Sequence, residues 1–246
     1  MNQKEPIVLS WSGGKDSALA FQALQADPGC EVVALLTTVC GEYGRISHHG
    51  VREKLLQQQA TAMNITVLHK LYLPSGDAGT CTNARYEGIM RQAMLDYRKA
   101  GITTVAFGDL FLEDLRRYRE QRLAEVGMKA VFPLWMSDTL QLAHRFIDEG
   151  FKARLSCVDG RKLDASFAGR AFDTDLLRHL PAGVDPCGEN GEFHTFVYDG
   201  PIIHRPVDVT VAQTVHRDDR HFVELLPREV ASDEAAEAPM PPIGRL

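Results

Sequence analysis

The sequence predicts an α/β fold, a doubly wound parallel sheet followed by a smaller α+β region. Three observations carry this. Short apolar runs alternate with helical stretches through residues 1–157. A glycine-rich turn joins the first run directly to the first helix. After Asp159 the alternation stops, and closely spaced strand-like runs take over.

Ile7-Val8-Leu9 is a short apolar strand that ends in Ser10-Trp11-Ser12 and two glycines. Lys15 to Ala26 has helical composition and is stopped by Asp27-Pro28-Gly29. Glu31 to Thr38, dominated by Val, Ala, Leu and Thr, reads as a buried strand. Val51 to Met63 is helical and Ile65 to Leu71 is a third strand. Asn83 is placed to cap a helix reaching about Lys99, and Gly101 ends it. Thr103 to Phe107 is strand four, closed by Gly108-Asp109. A charged helix, Leu112 to Val126, precedes a short strand at Ala130 to Phe132. Asp138 is placed to cap a helix to about Glu149, and Phe151 to Cys157 alternates apolar and polar residues. Residues 1–157 are therefore expected to form the first domain, and 158–226 a small α+β domain. The latter has a short helix near Asp173 to Leu180 and strands at Phe193 to Tyr198, Val207 to Val215 and His221 to Leu226. Residues 227–246, rich in Pro, Ala and acid, are expected to be a mostly disordered tail.

Composition narrows the function. Of 246 residues, 44% are hydrophobic and 24% charged, which excludes wholesale disorder. A formal net charge of −6 argues against a protein built mainly to hold nucleic acid. No apolar run approaches the ~20 residues that span a bilayer, so no membrane partner is expected. Five scattered cysteines without a CxxC suggest neither a disulfide framework nor a zinc ribbon. A reduced, cytoplasmic, soluble protein is expected.

The strongest local signal is Ser12-Gly13-Gly14-Lys15-Asp16-Ser17, directly between the first strand and the first helix. Glycines there let backbone N–H groups converge on an anion, and the helix start adds partial positive charge. Lys15 supplies a cation for phosphate oxygens, and Ser12 and Ser17 supply hydroxyls. Asp16 would repel a phosphate unless it caps the helix or faces Mg²⁺. The spacing fits neither G-x-x-x-x-G-K-[ST] nor G-x-G-x-x-G.

SGGKDS in this place resembles the PP-loop of the ATP pyrophosphatases, whose fold is adenine nucleotide α-hydrolase-like. Two further stretches narrow the resemblance. One is Gly108-Asp109 at a strand end, followed by the charged helix and Pro133-Leu134-Trp135. The other is Cys187-Gly188-Glu189-Asn190-Gly191-Glu192 before a strand. Together the three motifs resemble the diphthine–ammonia ligase family over residues 6 to 203. The segment from Cys81 to Glu87, with His49-Gly50-Val51-Arg52, has the character of that family's bacterial branch.

The resemblance implies an ATP- and Mg²⁺-dependent ligase. ATP adenylates an acceptor carboxylate, PPi leaves, and ammonia displaces AMP. The acceptor is a small molecule or a modified protein residue, and it is diphthine only in a host that makes diphthamide. The implied nucleotide site is Ser12, Gly13, Gly14, Lys15, Asp16, Ser17, Gly108 and Asp109. Asp16 and Asp109 are the candidates for the metal, with the ribose or a helix cap as alternatives for Asp109. Lys15, Asp109, Glu189 and Glu192 are the candidate catalytic residues. Glu189 and Glu192 could bind Mg²⁺ or ammonium, or act as a base on the amine. Arg116 and Glu120, which survive from the family's charged-helix pattern, are candidates for binding substrate. The basic cluster of Arg116, Arg117, Arg119 and Arg122 reads equally as salt bridging on a solvated helix. Trp11 reads as packing. His48-His49 could approach the nucleotide or cap a turn, and His194 could face a cleft or be structural. The family's preference also raises a homodimer. Two other readings are a tRNA-thiolating enzyme using Cys81 and Cys187, and a nucleotide-binding module without chemistry.

Overall fold

In a computed structural model of the chain, residues 4–42, 44–46, 49–74 and 81–228 are described. His48 and residues 229–246, most of the expected tail, lie outside them.

The chain opens with β1 (Glu5–Ser10), α1 (Lys15–Ala26) and β2 (Cys30–Cys40). Then come β3 (Arg45–Ile46), α2 (Glu53–Ala62), β4 (Leu68–Leu73) and α3 (Asn83–Lys99). β5 (Thr104–Ala106), α4 (Glu113–Ala124), β6 (Lys129–Val131) and α5 (Thr139–Asp148) complete the first layer system. β1 pairs in parallel with β2 on one side and β5 on the other. β4 lies outside β2 and β6 outside β5, both parallel. The order β4-β2-β1-β5-β6 reverses direction at β1, which puts the switch point where ligands bind in open α/β sheets. Sequence missed only the short antiparallel β3, which pairs with the far end of β2.

Alternation along β1 sorts the two faces. Ile7 and Leu9 join one apolar core with α1 and α2. Val8 joins the other, beneath α3 and α4, with Met94, Tyr97, Val105 and Leu123. Caps fix the helix starts. Asp138 accepts from Gln141 N at 2.8 Å as expected, but α3 is capped by Thr82, not Asn83.

β7 (Lys152–Asp159), a 3-10 turn (Ala165–Phe167) and α6 (Thr174–His179) follow. β8 (Phe193–Asp199), β9 (Val209–Arg217) and β10 (Arg220–Pro227) then complete a second, antiparallel sheet in the order β8-β7-β10-β9. Residues 152–157, expected in the first domain, thus form a strand of the second sheet, and the change of sheet falls after α5. Their alternating pattern was that of an antiparallel strand with one buried face. Pro227, expected in the tail, closes β10, and the Arg228 amide donates to the Asp208 carbonyl.

The two sheets are not independent. One continuous apolar core runs from Ala18, Leu19 and Leu55 through Phe146 and Phe172 to Phe193 and Phe196. Backbone bonds cross as well. The Val197 amide donates to the Gly13 carbonyl at 2.9 Å, and the His204 amide to the Ala62 carbonyl at 2.8 Å. Among the described residues no helix is long and apolar enough to cross a membrane.

Candidate functional site

The six-residue loop Ser12–Ser17 sits at the C-terminal edge of β1 and opens α1, as its composition demands. Gly13 has φ +78°, a conformation costly for any residue with a Cβ. Gly14 is the N-cap and offers no side chain, so the first turn is held from elsewhere. The Gly14 amide donates to Ser12 Oγ at 3.2 Å, and the Lys15 amide to Thr195 Oγ1 of β8 at 3.0 Å. Ser17 Oγ donates to the Gly14 carbonyl at 2.8 Å. Among the described residues the Asp16 and Ser17 amides have no such partner. They are the first-turn donors left for an anion.

Gln59 of α2 locks the loop from beneath. Its Nε2 donates to the carbonyls of Gly13 (3.1 Å) and Val197 (2.6 Å), and its Oε1 accepts from Trp11 Nε1 at 2.8 Å. Trp11 therefore packs, as expected. Gly108, at the end of β5, closes the other side. A Cβ there would lie 2.9 Å from the Asp16 carbonyl carbon and oxygen, so only glycine admits this approach of strand end to helix start.

Lys15 is 2% exposed and turned inward. Its ammonium donates to Asp16 Oδ2 at 2.9 Å and to the Cys187 carbonyl. It lies 5.5 Å from the ring centre of Phe193 and 5.8 Å from that of Phe172. Burial pulls its pKa down, but Asp16, Cys187 and Glu189 together more than offset this and raise it above the ordinary value. Burial pushes the Asp16 carboxyl up, against the pull of Lys15. Asp16 Oδ1 is buried and has no hydrogen-bond partner among the described residues.

The loop carrying Cys187 to Glu192 is organised by Asp185, a residue sequence reasoning missed. Asp185 Oδ2 accepts from the amides of Cys187 and Glu189, both at 3.0 Å. Glu189 reaches across to β5, its Oε1 accepting from the Leu110 amide at 2.7 Å. Burial pushes its carboxyl up to about 7, assisted by the Asp16 and Asp109 charges and opposed by the Leu110 bond and Lys15. Glu192 turns back onto its own loop. It is 2% exposed and accepts from the Asp185 amide and from Asn190 Nδ2. It thus braces the loop that presents Glu189, which is a different position from the expected paired one.

Three other expectations are redirected. Asp109 lies beside the loop but is ion-paired, with Arg119 Nε 2.6 Å from its Oδ2. Arg116 and Glu120 bond each other at 2.8 Å, one turn apart on α4. Arg116 rests over Trp135 and Phe132. His194 stacks on His49 with ring centres 4.4 Å apart. Cys187 is buried, its thiol donates to the Thr139 carbonyl, and burial pushes its pKa far up, the reverse of what a nucleophile needs.

A PP-loop at the switch point of a parallel α/β sheet, braced by a smaller antiparallel sheet, defines the class of protein. Known proteins then narrow it. Residues 138–229 match the family described as "Diphthamide synthase C-terminal domain". Relatives named "Diphthine--ammonia ligase" include the cow protein, 23% identical over 223 residues (83% of this chain, 82% of that one). The mouse protein is 24% identical over 226 residues, with the same coverage. The zebrafish protein is 30% identical over 115 residues, a match spanning 44% of this chain and 45% of the relative. The chain is thus similar to diphthine–ammonia ligases over most of its length, and its C-terminal part matches the diphthamide synthase family.

Proposed function

We propose that the protein is an ATP-dependent amide-forming ligase that adenylates an acceptor carboxylate and transfers ammonia to it. The observation that carries this reading is the convergence of the two loops: Lys15 of the PP-loop holds the Cys187 carbonyl of the 185–192 loop, and Glu189 of that loop is within its electrostatic reach. A phosphate cradle, a buried cation and a carboxylate poised near neutrality in one place suit phosphate departure followed by amine attack.

In this reaction an acceptor oxygen bonds to the α-phosphorus of ATP as the α–β P–O bond breaks and PPi leaves. The ammonia nitrogen then bonds the acyl carbon as the C–O bond to AMP breaks, and the nitrogen releases one proton. The Asp16 and Ser17 amides and Lys15 bind and neutralise the phosphates. Glu189, held by the Leu110 amide, takes the proton. Asp16, through its orphaned Oδ1, and Asp109, close enough to act on Asp16 electrostatically, would hold Mg²⁺. These are the hard oxygen donors the ion prefers. Mg²⁺ there would offset negative charge on the phosphates. The relatives' name supplies diphthine and ammonia as the pattern of substrates, and here the acceptor is a carboxylate of that chemical kind.

The test is nucleotide product analysis with ATP, Mg²⁺, ammonium and an extract of the host. AMP with PPi is expected, and Lys15→Met, which keeps the buried aliphatic volume, should abolish both. ADP with phosphate as the Lys15-dependent products would sink the reading.

A further inference from the structure

The family resemblance does not account for a cavity between α3 and α4, on the far side of the Asp109–Arg119 pair. It has a volume of about 300 Å³, roughly twice the ~150 Å³ that holds benzene in an apolar protein cavity. Its floor is apolar, with Met94, Phe107 and Leu123 among its walls, and Tyr118 stands beside them. At the rim, Arg91, Arg119 and Arg122 outnumber Glu87 and Glu125. Arg122 is paired with both glutamates, and Arg119 with Asp109. Arg91 is exposed and makes no ion pair among the described residues. The cavity therefore has room for a ring, and Arg91 is the lining cation that no acid pairs among the described residues.

Gly88 gives an independent reason to think the space is kept open. It lies inside α3, where glycine costs about 0.5–1 kcal/mol relative to alanine. A Cβ at Gly88 would meet nothing within 4 Å, so packing does not require the glycine. Its missing side chain opens onto the cavity it lines. The cavity also adjoins the candidate site. Phe107 forms part of its wall and immediately precedes Gly108, which abuts Asp16. The Arg119 guanidinium lies 4.3 Å from the Phe107 ring centre while holding Asp109. Tyr118 stands where α4 departs from the family's charged-helix pattern.

We propose that the α3–α4 cavity binds a small carboxylic acid with a flat apolar body. The body lies on Phe107 and Met94, and the carboxylate lies at Arg91 on the rim. This deepens the ligase reading, on which it rests for one point only, that the bound acid is the acceptor. Binding itself can be tested without turnover. Phenylacetate, benzyl alcohol and acetate would be titrated into the full chain by ligand-observed NMR, with ATP binding followed by calorimetry. Phenylacetate should bind at least about tenfold more tightly than either comparator, since a charge-assisted hydrogen bond is worth about 1.5–3 kcal/mol. Gly88→Phe should abolish that binding and leave ATP affinity unchanged. Gly88→Ala should keep both, with a melting temperature at or above that of the parent. Undiminished phenylacetate binding in Gly88→Phe overturns the proposal. So does benzyl alcohol binding as tightly as the acid, no binding at all, or loss of ATP binding in a folded Gly88→Phe protein. None of these results bears on whether Lys15 supports AMP formation, so the two readings fail separately.

Discussion

Replacing Glu189 by glutamine should stabilise the protein above neutral pH and leave it nearly unchanged in acid. The folded state pushes this carboxyl from an ordinary 4.5 up to about 7. Between those values the folded chain keeps a proton that the unfolded chain has released. Stability therefore falls as pH rises through that window, and the loss is complete above the folded pKa. At about 1.36 kcal/mol per pKa unit, the shift corresponds to a penalty of about 3 kcal/mol near pH 8. That is an upper bound, because Glu189 is only partly buried and solvent screens part of the interaction. Glutamine resembles the protonated carboxyl and its Oε1 can still accept from the Leu110 amide, so the variant lacks the penalty. Urea denaturation at pH 5, 6, 7 and 8, with chelator and without nucleotide, would measure it. The wild-type and Glu189→Gln curves should meet near pH 5 and separate as pH rises, the variant being more stable. Parallel curves, or a variant less stable at pH 8 than at pH 5 relative to wild type, would refute the argument. The same variant should lose amide formation at every pH if Glu189 takes the proton.

Three further substitutions probe the surroundings. Gly108→Ala would press a methyl against the Asp16 backbone, which should cost about 1–3 kcal/mol in urea denaturation and weaken ATP binding by calorimetry. Gln59→Ala would orphan the buried Trp11 indole and remove one donor each from the Gly13 and Val197 carbonyls, the former keeping the Val197 amide. A loss of about 1–3 kcal/mol in the same denaturation assay is expected, the cost of one orphaned buried group. Arg116→Ala should cost under about 1 kcal/mol, as exposed ion pairs do. It should also leave AMP formation nearly unchanged, because Arg116 is engaged with Glu120 and Trp135. A large loss of turnover there would return Arg116 to the list of substrate-binding residues.

Much of the fold was legible because its signals are local. The alternation of β-branched runs with helices marks the parallel sheet, and Asp138 and Gly101 punctuate helices by mechanisms confined to one turn. The glycine-rich turn between β1 and α1 was legible for the same reason, since six adjacent residues carry it. What sequence could not show was where side chains end up. Arg116, Arg119 and Glu120 share one helix, yet their roles depend on what lies opposite. Arg119 meets Asp109, while Arg116 falls between Trp135 and Phe132. Glu189 and Glu192 are three residues apart and look equivalent. The positive-φ glycines at 188 and 191 turn one toward β5 and the other back onto Asp185. Gln59 and Thr195 carry no motif at all, because their importance lies in contacts 46 and 180 residues away.

Those long contacts decide how the two sheets share the site. The same loop on an isolated α/β sheet would leave the Gly13 carbonyl to Gln59 alone and the Lys15 amide to water. Here β8 supplies Val197 N and Thr195 Oγ1 to them, and Lys15 answers by holding the Cys187 carbonyl at the head of the opposite loop. Each loop thus satisfies backbone groups of the other, and unsatisfied buried groups are costly. The shared apolar core from Leu19 to Phe196 reinforces the arrangement. Phosphates arriving at the loop would compete with the Cys187 carbonyl for Lys15, so nucleotide binding and the position of the Glu189 loop are coupled through a single ammonium. That coupling accounts for a cation buried under two phenylalanines at a place where phosphate chemistry alone would favour a freely exposed one.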